Sequence, residues 1–334
     1  MKIAINGFGR IGRSFFKAVY GSPGFDIVAV NDLTDTKTLA YLLKYDSVYG
    51  RYTKEVSASD GTLEVDGKEL KVYAEEDPAR LPWNDLSVDV VIESTGFFTD
   101  AARAKAHIDA GAKRVVITAP GKGELTTALV GVNDDRFESA LPITCNASCT
   151  TNSVAPVMAI LKENFGIVKA GMATVHGYTA TQKLVDGPDE KDLRRGRAAA
   201  INIVPSTTGA ADAVIQAIPE LKGKFDTIAV RIPIVAGSLS IITVLLGRNA
   251  ARDEINQTFR IESQKPRWSK VVKVTEDPIV STDIIGEPYG AIFDTTLTKV
   301  TDGNLAQVFS WYDNEAGYTA TLVEHVRRIA KNIK

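Results

Sequence analysis

The chain has 334 residues, with 39 lysines and arginines against 41 aspartates and glutamates, a formal net charge of -2, and 44% hydrophobic residues. This balance excludes the basic footprint of a nucleic-acid-binding protein, and no apolar run reaches the roughly 18 residues needed to cross a bilayer. The chain opens at once on a strand rather than a signal peptide, so a cytoplasmic protein is expected. Its length predicts two domains, each with a sizeable core. His107, His176 and His325 are too scattered for metal-ligand spacing, so no metal is expected, and Cys145 and Cys149 are too close for a disulfide framework.

In chain order, the first half alternates strand and helix, the rhythm of a doubly wound α/β sheet. Strands are expected over Lys2 to Asn6, Asp26 to Val30, Asp89 to Glu93, Arg114 to Thr118 and Ala128 to Gly131. Helices are expected over Ser14 to Tyr20, Thr36 to Leu43 and Asp100 to Ala110. Between Asp60 and Pro82 the turn signals Asp60-Gly61 and Asp66-Gly67 predict a hairpin insertion at one sheet edge. A helix should begin near Cys149, because Pro156 is tolerable only near a first turn. Beyond it, alternating runs at Val168 to Val175, Thr227 to Ile232 and Ser238 to Leu246 predict an α+β domain on an antiparallel or mixed sheet. Its helices fall at Thr208 to Ala217 and Ala251 to Ser263, and an amphipathic helix, Ala316 to Ile333, ends the chain.

Two motifs carry chemistry. Gly7-Phe8-Gly9-Arg10-Ile11-Gly12 follows the first strand and opens a helix. That order fits a dinucleotide turn: Gly7 for the tight bend, Gly9 for backbone approach to a pyrophosphate, Gly12 for helix-on-strand packing. Asn31-Asp32 ends the second strand about 20 residues on, where an acid would accept the ribose hydroxyls of NAD and repel the 2′-phosphate of NADP. The alternative for Asp32 is to cap the following helix. The second motif, Ala147-Ser148-Cys149-Thr150-Thr151-Asn152, places a thiol at a helix start, where the dipole and free N–H groups favour thiolate. The alternative, a buried structural cysteine, leaves its four hydroxyl and amide neighbours without a purpose.

Gly177 to Ala200 is long, irregular and charged, with Asp186, Asp189, Glu190, Lys191, Asp192, Arg194, Arg195 and Arg197. A solvated surface excursion is the plain reading. His176 at the strand end before it, with Thr179 and Thr181 following, favours a site loop and makes His176 a candidate general base.

Together, Ile5 to Arg13, Ser94-Thr95-Gly96-Phe97-Phe98, Ala147 to Asn152, His176 to Thr179, Thr207 to Ala211 and Trp311 to Glu315 resemble the phosphorylating glyceraldehyde-3-phosphate dehydrogenases over essentially the whole chain. The resemblance implies a Rossmann-type NAD domain at 1–148, a catalytic domain at 149–312, and a tail, 313–334, that packs back on the first. It implies attack by Cys149 on the aldehyde of glyceraldehyde 3-phosphate, proton removal by His176, oxidation by NAD to a thioester, and release by inorganic phosphate as the acyl phosphate 1,3-bisphosphoglycerate. Thr179, Thr181 and Arg231 would hold the substrate phosphate. Ser148, Thr150, Thr208 and Gly209 would receive the attacking one, helped by Arg194 or Arg195, with Arg194 the better match by spacing from Thr208. Arg10 and Ile11 would contact the cofactor through their backbone, Asp32 its ribose, Thr95, Gly96 and Thr118 the pocket, and Asn314 the carboxamide. The family also implies a homotetramer, with the charged loop at an interface.

Three positions depart from the family pattern: Ala316 in place of an aromatic, expected to loosen packing near Asn314 and Tyr318; Ile241 in place of an aspartate; and Glu76 in place of an arginine near the adenine. Two other readings are an erythrose-4-phosphate dehydrogenase, whose thioester goes to water, and a redox-sensing or interaction protein using Cys149 with Cys145. Thr179, Thr181 and Thr207 to Gly209 speak against the first, and the complete site set against the second.

Overall fold

The computed structural model describes every residue except Lys191, Asn332 and Lys334, so one residue of the charged loop and two of the predicted final helix and tail lie outside it. The chain divides into two compact units. The first comprises Met1–Ala128, Asp134–Ala147 and Leu322–Lys334, and the second Leu129–Asn133 and Ser148–Thr321.

The first unit runs β1 (Lys2–Asn6), α1 (Arg10–Val19), β2 (Asp26–Asn31) and α2 (Thr36–Lys44), then the short hairpin β3 (Tyr45–Asp46) and β4 (Gly50–Arg51). Next come β5 (Val56–Ser59), β6 (Thr62–Val65), β7 (Lys68–Tyr73), α3 (Trp83–Leu86), β8 (Val90–Glu93) and α4 (Ala101–Asp109). It continues through β9 (Arg114–Ile117), β10 (Thr126–Thr127), α5 (Asp135–Glu138) and β11 (Ile143–Cys145). Among the described residues its main sheet has nine strands in the order β10-β11-β9-β8-β1-β2-β7-β6-β5. The order reverses between β1 and β8, both parallel, and such a reversal is where doubly wound sheets bind their ligands. Only β5, β6 and β7 pair antiparallel, which is the expected edge insertion; Asp66 and Gly67 both have positive φ in its second turn.

The predicted strand Ala128 to Gly131 does not form. The strand is Thr126–Thr127, and the apolar residues after it follow an irregular path. Ala128 N still donates to the Cys145 carbonyl, but side chains take the neighbouring groups: in the first unit the His325 ring meets the Ala128 carbonyl, and in the second Asn133 Oδ1 accepts from Leu129 N.

The second unit is built around α6 (Cys149–Phe165), which is buried nearly all round and packs on the sheet and on α7. Its strands are β12 (Ile167–Gly177), β13 (Val204–Ser206), β14 (Phe225–Ile232), β15 (Ser238–Leu246), β16 (Val272–Thr275), β17 (Ala291–Asp294), β18 (Lys299–Thr301) and β19 (Leu305–Tyr312). Its helices are α7 (Ala210–Ala217) and α8 (Arg252–Ser263), and α9 (Ala316–Ala330) follows. The sheet is mixed rather than antiparallel: β12 pairs parallel with β14, and β16 with β17. Pro156 lies inside α6, seven positions past Cys149, so it did not mark the helix start; Ser148 did, by capping. Ala316 brings no looseness: Asn314 and Tyr318 are both buried, and Asp313 Oδ1 accepts from the Glu315 and Ala316 N–H groups.

Candidate active site and cofactor site

At the β1–α1 junction Gly7 has φ +90°, and a Cβ there would lie 2.6 Å from the Thr95 nitrogen; one on Gly12 would lie 2.1 Å from the Gly7 carbonyl oxygen. Both positions are closed to side chains by backbone contact. Gly9 differs, since a Cβ there meets nothing within 4 Å. Gly9 is also the N-cap of α1 and makes no side-chain cap bond. The N-terminus of a ten-residue helix, whose first residues are Arg10 and Ile11, thus adjoins an open cradle at Gly9, and a helix N-terminus is where a dipole and free donors can hold an anion. The Arg10 side chain turns to Asp46, at 3.0 Å. Arg13, buried, fixes the turn by donating to the Phe8 carbonyl at 2.7 Å; sequence reasoning did not single it out.

Asp32 accepts from Phe8 N at 2.7 Å through Oδ2 and from Thr34 N at 2.9 Å through Oδ1. It does not cap α2. Asp35 does, accepting from Thr38 N, which corrects the capping alternative. Asn31, Asn6 and Glu93 end β2, β1 and β8 in register, with the Thr95-Gly96 turn beyond Glu93 and Thr118 just past β9. Thr118 donates its hydroxyl to the Glu93 carbonyl at 3.1 Å. Leu33 and Phe97, beside Asp32 and Gly96, are apolar side chains left 62% and 73% exposed. Glu76 is exposed beside Glu75, whose backbone N–H and carbonyl are bonded by Asn31.

In the second unit the Ser148 hydroxyl accepts from Thr151 N at 3.0 Å, the N-cap bond that starts α6 and makes Cys149 its first residue. Ala147, before it, is held at φ +52°, a strained conformation for a non-glycine residue. Cys149 Sγ lies 3.3 Å from His176 Nε2. The parallel register of β12 on β14 pairs His176 with Arg231, and Nη1 of Arg231 lies 2.6 Å from His176 Nδ1. The Gly177 carbonyl is also 2.6 Å from Nδ1.

Burial pushes the Cys149 thiol above its ordinary value, against smaller lowering effects of Arg231 and Thr150. Burial, with the Arg231 charge second, drives His176 down to about 3. The α6 N-terminus and the Arg231 charge act the other way and favour the thiolate, and Cys149 is only partly buried.

Tyr312, 1% exposed, stands edge-on to the His176 ring and bonds the hydroxyls of Thr150, at 3.0 Å, and Thr174, at 2.7 Å. The Thr150 hydroxyl and backbone N–H also support the Cys149 sulfur. Sequence reasoning gave Tyr312 no role. Thr179 and Thr181 meet hydroxyl to hydroxyl at 3.1 Å, and Arg195 Nη2 donates to Thr181 at 2.7 Å. Arg195, rather than the spacing match Arg194, joins this group, and its charge is felt by Arg231. Arg194 is exposed, its backbone N–H bonded to Asp192. Gly209 caps α7, which packs on α6, and the Thr208 hydroxyl accepts from Ala210 N. Asn314 Oδ1 faces Gly237 N and the Ser238 hydroxyl, so its Nδ2 is the end available to a ligand.

Comparison with known proteins gives the same answer for both units. Residues 1–101 match the model for the glyceraldehyde 3-phosphate dehydrogenase NAD binding domain, and residues 148–314 the model for the C-terminal domain of that enzyme. A glyceraldehyde-3-phosphate dehydrogenase of Thermotoga maritima is 52% identical over 332 residues, covering 99% of each chain. Those of Mycobacterium tuberculosis and Borreliella burgdorferi are 50% and 49% identical, covering 100% and 99% of this chain and 99% and 100% of their own. The chain belongs to the glyceraldehyde-3-phosphate dehydrogenase family and is an NAD-dependent oxidoreductase of that family.

Proposed function

We propose that the chain oxidises and phosphorylates glyceraldehyde 3-phosphate to 1,3-bisphosphoglycerate, and that the observation carrying this is Cys149 Sγ at 3.3 Å from His176 Nε2 on the first residue of α6. His176 takes the thiol proton, and Sγ adds to the aldehyde carbon to give a thiohemiacetal. Its hydroxyl proton passes to His176 as the carbon is oxidised, leaving a thioester on Cys149. Inorganic phosphate attacks the thioester, the acyl phosphate leaves, and the thiol is restored. For His176 to accept at Nε2, its Nδ1 must carry the proton and donate to the Gly177 carbonyl. Arg231 donates to the same nitrogen and favours the other tautomer, so a phosphate that draws the guanidinium away releases His176 to act as base.

Thr179, Thr181, Arg195 and Arg231 are the group best arranged for the substrate phosphate, with two cations and two hydroxyls together. Ser148, Thr150, Thr208 and Gly209 would receive the attacking phosphate. The open cradle at Gly9 fits NAD: Gly7, Gly9, Arg10, Ile11 and Gly12 would hold the pyrophosphate, Asn31 and Asp32 the ribose edge, Leu33 and Phe97 the adenine faces, Thr95, Gly96 and Thr118 the pocket, and Asn314 the carboxamide. When bound, NAD supplies the two-electron acceptor. Residues 1–148 then serve the cofactor, 149–312 the chemistry, and 313–334 the tail.

A cytoplasmic homotetramer fits the surface. No helix among the described residues is long and apolar enough to cross a membrane. Leu184, Val185, Leu193, Ile201 and Ile203 of the charged loop region are 71–87% exposed, and one sheet face carries Leu239, Ile241 and Phe309 half-buried. Ile241 adds to that apolar face. NADH formation from glyceraldehyde 3-phosphate should require inorganic phosphate for sustained turnover; turnover independent of phosphate, or a preference for erythrose 4-phosphate, would favour the water-using relative.

A further inference from the structure

Beneath the glycine turn lies a buried polar chain that takes no part in the chemistry proposed above. Trp83 Nε1 donates to His107 Nδ1 at 3.0 Å, and His107 Nε2 lies 3.1 Å from Glu93 Oε2; His107 and Trp83 are fully buried and Glu93 is 2% exposed. An indole nitrogen can only donate, so His107 Nδ1 must be bare. The imidazole is therefore neutral, carries its proton on Nε2, and donates it to Glu93. Asn6 Nδ2 donates to the same carboxyl oxygen at 2.5 Å, and Asn31 in turn donates to Asn6 Oδ1 at 2.7 Å.

The other carboxyl oxygen, Oε1, accepts from Thr95 N at 2.9 Å and from the Thr95 hydroxyl at 2.5 Å. Four donors thus meet one acceptor-only carboxylate, the arrangement under which a buried charge is tolerable. Thr95 Oγ1 then accepts from Phe97 N, closing the 93–97 turn on which Gly7 rests with no room for a Cβ. Ser94 donates to the Gly7 carbonyl at 2.6 Å. Trp83, His107 and Glu93 are buried, and the chain ends in Thr95, which supports the turn against which Gly7 packs.

We propose that His107 and Glu93 are positioning residues for the cofactor: Trp83 fixes the His107 tautomer, His107 orients the Glu93 carboxylate, and Glu93 pins the Thr95 turn and, through it, the Gly7 turn that receives the dinucleotide. This rests on the cofactor reading above. The test is NAD affinity of the full chain by fluorescence titration, read beside melting temperature, kcat and KM. His107→Leu leaves the Trp83 N–H unpaired and removes one of the two donors to Glu93 Oε2. It should weaken NAD binding and raise KM for NAD by roughly 5- to 30-fold, with kcat at saturating NAD little changed. His107→Gln can accept from Trp83 and donate to Glu93 in the same directions, and should restore most of the affinity. Where His107→Leu fails to fold, Trp83→Phe removes only the indole donor and should weaken NAD binding by a smaller factor. NAD affinity equal to the parent in a folded His107→Leu or Trp83→Phe variant overturns the proposal, whatever the melting temperature does, as does a folded His107→Gln no better than Leu. A parent chain that binds no NAD overturns the cofactor reading itself, a separable result.

Discussion

His176 and His107 are both buried imidazoles, one in each unit, and their partners set them apart. His107 stands between a group that only donates and a carboxylate that only accepts, so each ring nitrogen has one assignment and the proton is committed. His176 has Gly177 O and Arg231 competing for Nδ1 and a thiol at Nε2, so either tautomer finds a partner. A histidine that must move a proton needs that ambivalence, while one that must hold a loop needs the reverse. Burial alone distinguishes neither.

The comparison breaks most visibly at the reactive end. Cys149→Ser should abolish nearly all turnover, because a hydroxyl beside a neutral imidazole is a far weaker nucleophile, while NAD binding in a titration survives. Cys145→Ala should be mild: Cys145 is fully buried, with the Thr127 hydroxyl at 3.3 Å. Equal damage from the two substitutions would move the nucleophile elsewhere. His176→Asn should lower kcat by roughly two to four orders of magnitude, the usual worth of a positioned acid–base group, with little effect on NAD affinity. A larger effect on affinity than on kcat would erase the distinction between the two histidines.

On the binding side the effects are smaller. Asp32→Ala should narrow the preference for NAD over NADP by roughly 5- to 30-fold, as one or two polar contacts are lost and a like-charge repulsion is relieved. Equal efficiency with both cofactors in the parent chain would detach Asp32 from the ribose.

Smallest is a pH effect on stability. His325 is fully buried with its ring nitrogens on the Ala128 carbonyl and the Thr144 hydroxyl, and burial lowers it to about 4 from an ordinary 6.5. The unfolded chain takes up that proton first as pH falls, so stability present above 6.5 is lost down to about 4. His176, lowered to about 3, acts in the same direction. Melting temperature against pH should show this decline, and a flat profile from pH 7 to 4 would contradict it.

Much of this was legible in the sequence, because glycine spacing, strand-end acids and helix caps act locally. The β1–α1 turn, the hairpin edge and the start of α6 follow from such signals. Ala128 to Gly131 misled because an apolar run reports burial, not conformation. Strand alternation in β12 and β14 gave the sheet faces but not their parallel direction, which the connection between them decides. The Trp83, His107 and Glu93 chain joins three separate elements at no readable spacing, and Tyr312 reaches Thr150 and Thr174 from a distant strand. Arg194 and Arg195 are neighbours in a short turn, and only backbone geometry decides which reaches Thr181.

The central claim, a thioester on Cys149 discharged by phosphate, is open to intact-mass spectrometry of the chain mixed with glyceraldehyde 3-phosphate and NAD. Without phosphate, one acyl group should accumulate on the peptide containing Cys149, and it should disappear on adding inorganic phosphate as acyl phosphate forms. An adduct on Cys145, or one on Cys149 that decays at the same rate with and without phosphate, would contradict the account.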